Sequence, residues 1–252
     1  MNDSITQKIV GIMLLLFSIT LLIPLIVSFL YSDGNHFTFI YSLITILVLG
    51  NLLYFPNRNA ASDIKIKEGF LIVVLFWVVL SLVGSIPFML DKQLSLSFID
   101  AFFESVSGWT TTGATIITNL DSLSPSILIY RQELQWLGGM GIVILALAVL
   151  PMLGVGGMQL YKAESTGPIK DNKISPRIAE TAQSLWSIYL GLTIACAVLY
   201  YVAGMTAFDA IAHSFSTIAI GGFSTHNMSI GYYNNSYIEM ICIFFMFISA
   251  VN

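Results

Sequence analysis

The sequence predicts an all-α integral membrane protein of six spanning helices plus two re-entrant pore helices, arranged as helix-pore-helix repeats. Three observations predict it: an apolar composition, six long apolar runs, and a short segment that recurs in register. Hydrophobic residues make up 56% of the chain and charged ones 10%, against roughly a quarter charged in a soluble domain. Such a chain cannot cover itself with polar surface. Its apolar runs at 9–30, 37–55, 70–90, 127–153, 185–203 and 237–252 each approach or exceed the roughly 20 residues of a spanning helix.

The first run is longer than the roughly 7–15-residue core of a secretory signal, and no small-residue cleavage site closes it. It reads as a span. Pro24, Pro87 and Pro151 mark kinks or helix ends within the apolar runs. Cys196 and Cys242 lie inside such runs without metal-ligand spacing and read as small buried hydrophobes.

Between the third and fourth runs, and again between the fifth and sixth, lie segments that superpose with an offset of 109 residues, the interval from Gly113 to Gly222. Ser97-Phe98-Ile99-Asp100-Ala101 falls on Thr206-Ala207-Phe208-Asp209-Ala210, then Ser105 on Ser214, Ser107 on Ser216 and Gly113 on Gly222. Each copy opens with a hydroxyl residue followed three places on by a carboxylate, the sign of a capped helix start. Each then runs about eleven residues before turning polar and glycine-containing, too short to cross a bilayer. Irregular backbone at membrane depth is tolerated only inside protein or along a water-filled cavity, so each copy reads as a half-membrane hairpin. The pore helices are expected at 98–109 and 207–218, followed by extended stretches at 110–115 and 219–224. The chain thus divides into a two-helix N-terminal extension (1–60), a first helix-pore-helix repeat (61–165) and a second, incomplete one (166–252).

Basic residues in the loops set the expected orientation. Lys8, Arg58, Lys65, Lys67, Lys162, Lys170, Lys173 and Arg177 fall on one side, which places the N-terminus in the cytoplasm. The opposite side collects Asp33, Asp91, Asp100, Glu104, Asp121, Glu133, Asp209 and Glu239 against only Lys92 and Arg131, an outer vestibule attractive to cations.

The pattern suits a cation that must shed water. Both short helices would aim their negative carboxyl ends at one midplane site. The carbonyls of Thr111-Thr112-Gly113 and Ile220-Gly221-Gly222 would replace lost hydration, those of Thr111, Thr112, Ile220 and Gly221 being the first candidate ligands. Glycine at 113 and 222 permits left-handed angles and keeps side chains out of a narrow passage.

Three stretches carry a resemblance: Ser105-Val106-Ser107-Gly108-Trp109-Thr110-Thr111-Thr112-Gly113-Ala114-Thr115, Arg131-Gln132-Glu133-Leu134-Gln135-Trp136-Leu137-Gly138-Gly139-Met140-Gly141 and Ile218-Ala219-Ile220-Gly221-Gly222-Phe223-Ser224-Thr225-His226. Together they resemble the membrane subunit of the Trk-type potassium uptake system, within the Trk/Ktr/HKT group, over the whole chain. The resemblance implies a transporter or channel of the bacterial inner membrane, with four potassium-channel-like repeats around one pore, preceded by an extra helix pair. It further implies potassium as the bound ion, a homodimer embedded in membrane lipid, and a peripheral cytoplasmic nucleotide-binding regulatory subunit. In that group a glycine in each filter accompanies potassium preference, and serine at the first filter glycine accompanies sodium permeation. This sequence departs by holding two repeats rather than four, so the group's gating loop and the cationic residue of its fourth repeat have no counterpart. Two filter segments supply half a ring of carbonyls. The expectation is an incomplete piece of a longer chain, since a helix ending within the bilayer leaves carbonyls unsatisfied; the alternative is that two copies build one pore.

Several residues carry two readings. Gly138, Gly139 and Gly141 suit close helix packing or a hinge. Asp100, Glu104 and Asp209 suit cation attraction, while capping accounts equally well for the two aspartates. His36, His213 and His226 lack a ligand at metal spacing and read as locally hydrogen-bonded. Trp186, Tyr189, Tyr200 and Tyr201 read as interfacial anchors, and the 162–177 loop as positive-inside charge or a docking surface for the regulatory subunit. An intramembrane serine protease built on Ser107 and His213 is disfavoured, since Ser107 recurs as Ser216 and a lone nucleophile needs no copy; no enzyme is expected. The rival to transport is a non-conducting assembly or regulatory subunit.

Overall fold

The computed structural model describes residues 3–60, 66–149 and 174–251, all of whose regular structure is helical. Lys65, Pro151, Lys162, Lys170 and Lys173, the side chains of Lys67 and Arg177, and the expected repeat boundaries near 61 and 165 lie outside the described residues. Helices α1 (Asp3–Thr20) and α2 (Leu22–Tyr31) form one rod broken at Leu21, where Pro24 lacks the amide that would bond Thr20 and crowds its carbonyl. This rod packs on α3 (His36–Asn57). They cross closely at two glycines: a Cβ on Gly11 would lie 2.9 Å from the carbonyl oxygen of Gly50. Between membrane helices, where lipid is as apolar as the partner, such backbone approach replaces the hydrophobic effect as the source of attraction.

The next rod repeats the device. Helix α4 (Ile66–Gly84) breaks at Ser85 and resumes as α5 (Ile86–Leu90), with Pro87 in its first turn. The short helix α6 (Phe98–Trp109) follows, then irregular chain, a 3₁₀ turn (Leu120–Ser122) and the long α7 (Pro125–Val149). The second half runs α8 (Ile174–Val202), the short α9 (Ala207–Ile218), a 3₁₀ turn (Ser229–Tyr233) and α10 (Ser236–Ala250).

Among the described residues, four helical stretches are long and apolar enough to cross a membrane, Ser4–Tyr31, His36–Asn57, Gly69–Leu90 and Gln183–Val202, with Ser236–Ala250 as a shorter apolar helix. The protein is therefore a multi-pass membrane protein. Large apolar side chains point outward along these helices, as at Leu30, Val202 and Tyr237, the face that lipid must cover. Six spans were expected; of the run at 127–153 the structure describes the part up to Val149. Its helix, α7, carries Arg131, Gln132, Glu133 and Gln135 fully buried, so its first half faces protein rather than lipid.

Each half has its own core. One cluster joins Phe17, Phe39, Phe88, Trp109, Tyr130 and Leu134; the other joins Cys196, Tyr200, Met205, Ile218, Ile238 and Phe245. The two short helices begin identically. Ser97 Oγ accepts from Asp100 N at 3.2 Å and donates to the Asp100 carboxylate at 2.7 Å, and Thr206 does the same with Asp209 at 3.1 and 2.7 Å. Replacing either hydroxyl residue by alanine is expected to destabilise the protein by about 1 kcal/mol, read as a lower denaturation midpoint of the detergent-purified protein. Equal midpoints for the Ser97→Ala, Thr206→Ala and unsubstituted proteins would show the caps to be energetically idle.

Candidate functional site: two backbone segments braced from behind

Both short helices end in the same backbone motif. Thr111 N donates to Gly108 O at 3.0 Å and Thr112 N to Ser107 O at 3.0 Å; in the second half, Ile220 N donates to Thr217 O at 3.1 Å and Gly221 N to Ser216 O at 2.8 Å. This is the Schellman pattern, whose turning residue must be left-handed. Here that residue is Thr111 at φ 52° and Ile220 at φ 54°, and the glycines follow two places on, Gly113 at φ 75° and Gly222 at φ 83°. A β-branched residue at positive φ costs about 1–3 kcal/mol and persists only where its surroundings over-determine it. Sequence reasoning placed only glycine in such angles, so these two strained positions were not foreseen.

The segments after the helices come face to face. A Cβ on Gly113 would collide with the carbonyl oxygen of Gly221 and lie 3.6 Å from Gly222 Cα. Residues 111–113 and 220–222, from opposite halves of the sequence, are thus brought together backbone to backbone. Gly222 itself has open space around it, and Thr112 and Ile220 are exposed.

Side chains of the short helices secure the chain just beyond each glycine pair. Glu104 accepts from Thr115 Oγ1 at 2.8 Å and from Ile116 N at 3.2 Å, while Thr115 Oγ1 accepts from Ile117 N at 3.1 Å. At the matching place in the second half stands His213. Its Nδ1 lies 2.9 Å from Asp209 O and must carry the proton, so its Nε2 accepts from Ser224 Oγ at 2.9 Å; Ser224 Oγ accepts from His226 N at 3.0 Å. A carboxylate in one half and a neutral imidazole in the other do the same task.

Helix α7 supplies the remaining partners. Arg131 Nε donates to Glu104 at 2.9 Å, Nη1 to Ser224 O at 3.1 Å and Nη2 to Thr115 Oγ1 at 3.0 Å, with the guanidinium 4.3 Å from the Phe223 ring centroid. One turn on, Gln135 donates to Gly221 O at 2.7 Å and accepts from Phe223 N at 3.0 Å. Gln132, in the amide orientation that satisfies both ends, donates to Phe223 O and Ser216 Oγ and accepts from Thr225 N. The backbone from Gly221 to Thr225 is thereby bonded to α7 as a strand is to its neighbour.

This arrangement alters the expected vestibule. Glu104, Glu133 and Arg131 are fully buried, Asp91 nearly so, and Asp91 accepts from Leu94 N and Asn35 Nδ2. Asp209 completes its cap and accepts from Thr225 Oγ1 at 2.7 Å. The more exposed Asp121 is engaged too: it accepts from His226 Nδ1 and from Asn227 Nδ2, both at 2.6 Å, clasping the loops of the two halves. The His226 hydrogen bond holds the Asp121 carboxyl below its ordinary range, against slight desolvation and with help from Asn227. The brace on α7 was missed, although an arginine and two amides at positions 131, 132 and 135 inside an apolar run are a signal of their own, since intramembrane polar groups find partners.

Comparison with known proteins fits this geometry. The family model described as "TrkH: Cation transport protein" matches residues 35–252. The chain is 57% identical over 245 residues to the Trk system potassium uptake protein TrkH of Vibrio parahaemolyticus, covering 97% of this chain and 50% of that protein. It is 42% identical over 255 residues to the Trk system potassium uptake protein TrkG of Escherichia coli, covering 53% of it. The crystal structure of the potassium transporter TrkH from Vibrio parahaemolyticus superposes with a TM-score of 0.89 at 52% identity, over 100% of this chain and 50% of that one. The chain spans about half the length of the curated relatives it matches. The matched region contains both capped short helices, both left-handed turns and the polar face of α7, and the chain belongs to the TrkH family of cation transport proteins.

Proposed function

We propose that this chain contributes half of a pore for potassium uptake across the bacterial inner membrane, with the backbone carbonyls of Thr111, Thr112, Gly113, Ile220, Gly221 and Gly222 as filter ligands. The observation that carries the reading is the bare-backbone contact of Gly113 with Gly221. Two chain segments that approach without intervening side chains, each rising from a short helix's carboxyl end, bring backbone carbonyl oxygens close enough to serve an ion. Gly221 O accepts from Gln135, which fixes the direction of that carbonyl beside Gly113.

In this reading α7 and α10 complete six spans, α6 and α9 are re-entrant, and the N-terminus is cytoplasmic. The three units are 1–60, 61–165 and 166–252. The remaining carbonyls of the ring come from a longer chain, working as a homodimer with a peripheral cytoplasmic nucleotide-binding subunit. The relatives' names support potassium as the substrate and support transport over enzymatic chemistry.

The test is rubidium tracer uptake in cells lacking their own potassium uptake, producing either these 252 residues or the same chain extended by the reading frame after Asn252. Uptake only by the extended chain is the expected result. Uptake by the short chain would mean that two copies build a pore, and uptake by neither would replace the reading with a non-conducting assembly subunit.

A further inference from the structure

We propose that Arg131 determines how strongly the pore prefers potassium over smaller cations, by holding the two filter segments at a fixed separation from behind. The inference rests on the filter reading above and goes beyond it by assigning selectivity to a residue that touches no ion. Arg131 is therefore a positioning residue.

Its placement supports this. Thr115 follows Gly113 by two residues and Ser224 follows Gly222 by two. The guanidinium reaches both, through Nη2 to Thr115 Oγ1 and Nη1 to Ser224 O, while Nε and Nη2 each lie 2.9 Å from Glu104 Oε1. One rigid plane thus ties the pore helix and filter of the first half to the filter backbone of the second. A guanidinium presents its N–H groups in a fixed fork, so its three partners cannot drift independently.

Among the described residues, the helix that follows the second segment, α10 (Ser236–Ala250), holds no arginine. The residue matching Glu104 is the buried His213, which serves its own half through Ser224 Oγ. Apart from the loop clasp of Asp121 on His226 and Asn227, the second segment is tied to α7 by Arg131, Gln132 and Gln135, and of these three only Arg131 also bonds to the first segment. Arginine and glutamate at 0% exposure form the kind of buried ion pair that adds little stability over an apolar substitute. Geometric control is a role that an apolar substitute could not fill. If carbonyl spacing and stiffness decide which dehydrated ion is favoured, loosening this plane weakens discrimination without removing any ligand.

Arg131→Lys tests it, because lysine keeps the charge opposite Glu104 but offers a compact ammonium in place of the fork. The measurement is sodium competition against rubidium uptake by whichever form of the chain transports, with membrane protein quantified beside it. The expected result is an at least tenfold easier competition by sodium, of the order set by losing a charge-assisted, geometrically fixed contact. A residue with a merely structural role would lower the amount of protein and maximal uptake together, leaving the sodium-to-rubidium ratio unchanged; that result overturns the inference. Should Arg131→Lys fail to accumulate, Thr115→Val decides: it removes one anchor at nearly constant shape and is expected to shift the ratio about threefold in the same direction. An unshifted ratio in Thr115→Val would then overturn it. Gly113→Ser, run alongside, separates the two levels: a ratio moved by Gly113→Ser and not by the brace variants rejects the brace alone, whereas no movement in any rejects the filter reading itself.

Discussion

Serine in place of Gly113 is expected to lower the preference for potassium over sodium by an order of magnitude or more, while Gly222→Ser has a distinctly smaller effect. Both glycines sit at positive φ, 75° and 83°, where any other L-residue carries a penalty of about 1–2 kcal/mol. Only Gly113 also faces a neighbour: a Cβ there collides with Gly221 O, whereas at Gly222 it meets nothing within 4 Å. Serine at 113 must therefore push the opposing carbonyl aside, and that carbonyl is held by Gln135 at 2.7 Å. The strain spreads into both segments at once. Sodium competition against rubidium uptake in the two single variants is the measurement. Equal effects at the two glycines would contradict the asymmetry, and an unchanged ratio in Gly113→Ser would remove the filter assignment.

The second large effect is expected at Gly138, where even alanine should prevent stable assembly. A Cβ on Gly138 would collide with the carbonyl oxygen of Trp109, and the Trp109 carbonyl carbon is scarcely farther away. Trp109 ends α6 and cannot retreat, because its indole packs edge-on against Phe17 at 5.3 Å and Phe76 at 5.7 Å between ring centroids. Helix α7 would have to move off, taking Arg131, Gln132 and Gln135 with it. Overpacking of this kind costs about 1–3 kcal/mol where a side chain can yield and more where backbone meets backbone. Gly191 on α8 is the control, since a Cβ there meets nothing within 4 Å and alanine is about 1 kcal/mol better than glycine within a helix. Thermal denaturation of the two purified variants should show Gly191→Ala at or above the unsubstituted midpoint and Gly138→Ala far below it or absent from the membrane. Coincident curves for the two would sink the argument. The packing account of the glycines at 138, 139 and 141 thus prevails over a hinge: Gly139 lies against Ala219 and Tyr189, and Gly141 against Phe76.

Elements with a local chemical signature were legible from sequence. Ser97 with Asp100 and Thr206 with Asp209 announced two helix starts, and the recurrence of Gly113 as Gly222 announced that the chain after them does the same thing twice. Breaks at Pro24 and Pro87 followed from a missing donor. What escaped notice depends on three-dimensional neighbours. Glu104 and Arg131 read as vestibule charges because charge alone does not say whether a side chain meets water or another charge. Nor does composition show that a helix can be polar along one face because that face binds backbone; the amides at 132 and 135 make sense only once Phe223 is beside them. The left-handed angles at Thr111 and Ile220 were hidden for a different reason. Local preference argues against them, and the C-terminal motif of each short helix overrides it.

The grip of α7 on both glycine-containing segments also bears on the order in which the protein can be made. Synthesis proceeds from the N-terminus and earlier segments fold first, so residues 110–115 leave the ribosome before α7 exists, and residues 219–225 after it. The first filter segment must wait for its arginine, whereas the second emerges toward amides already in place and can take up its backbone bonds as it arrives. A nascent chain halted before Pro125 would hold the first segment with nothing behind it, and the completion of α7 is the point in biogenesis at which that segment gains its brace and the second gains the surface it will dock on.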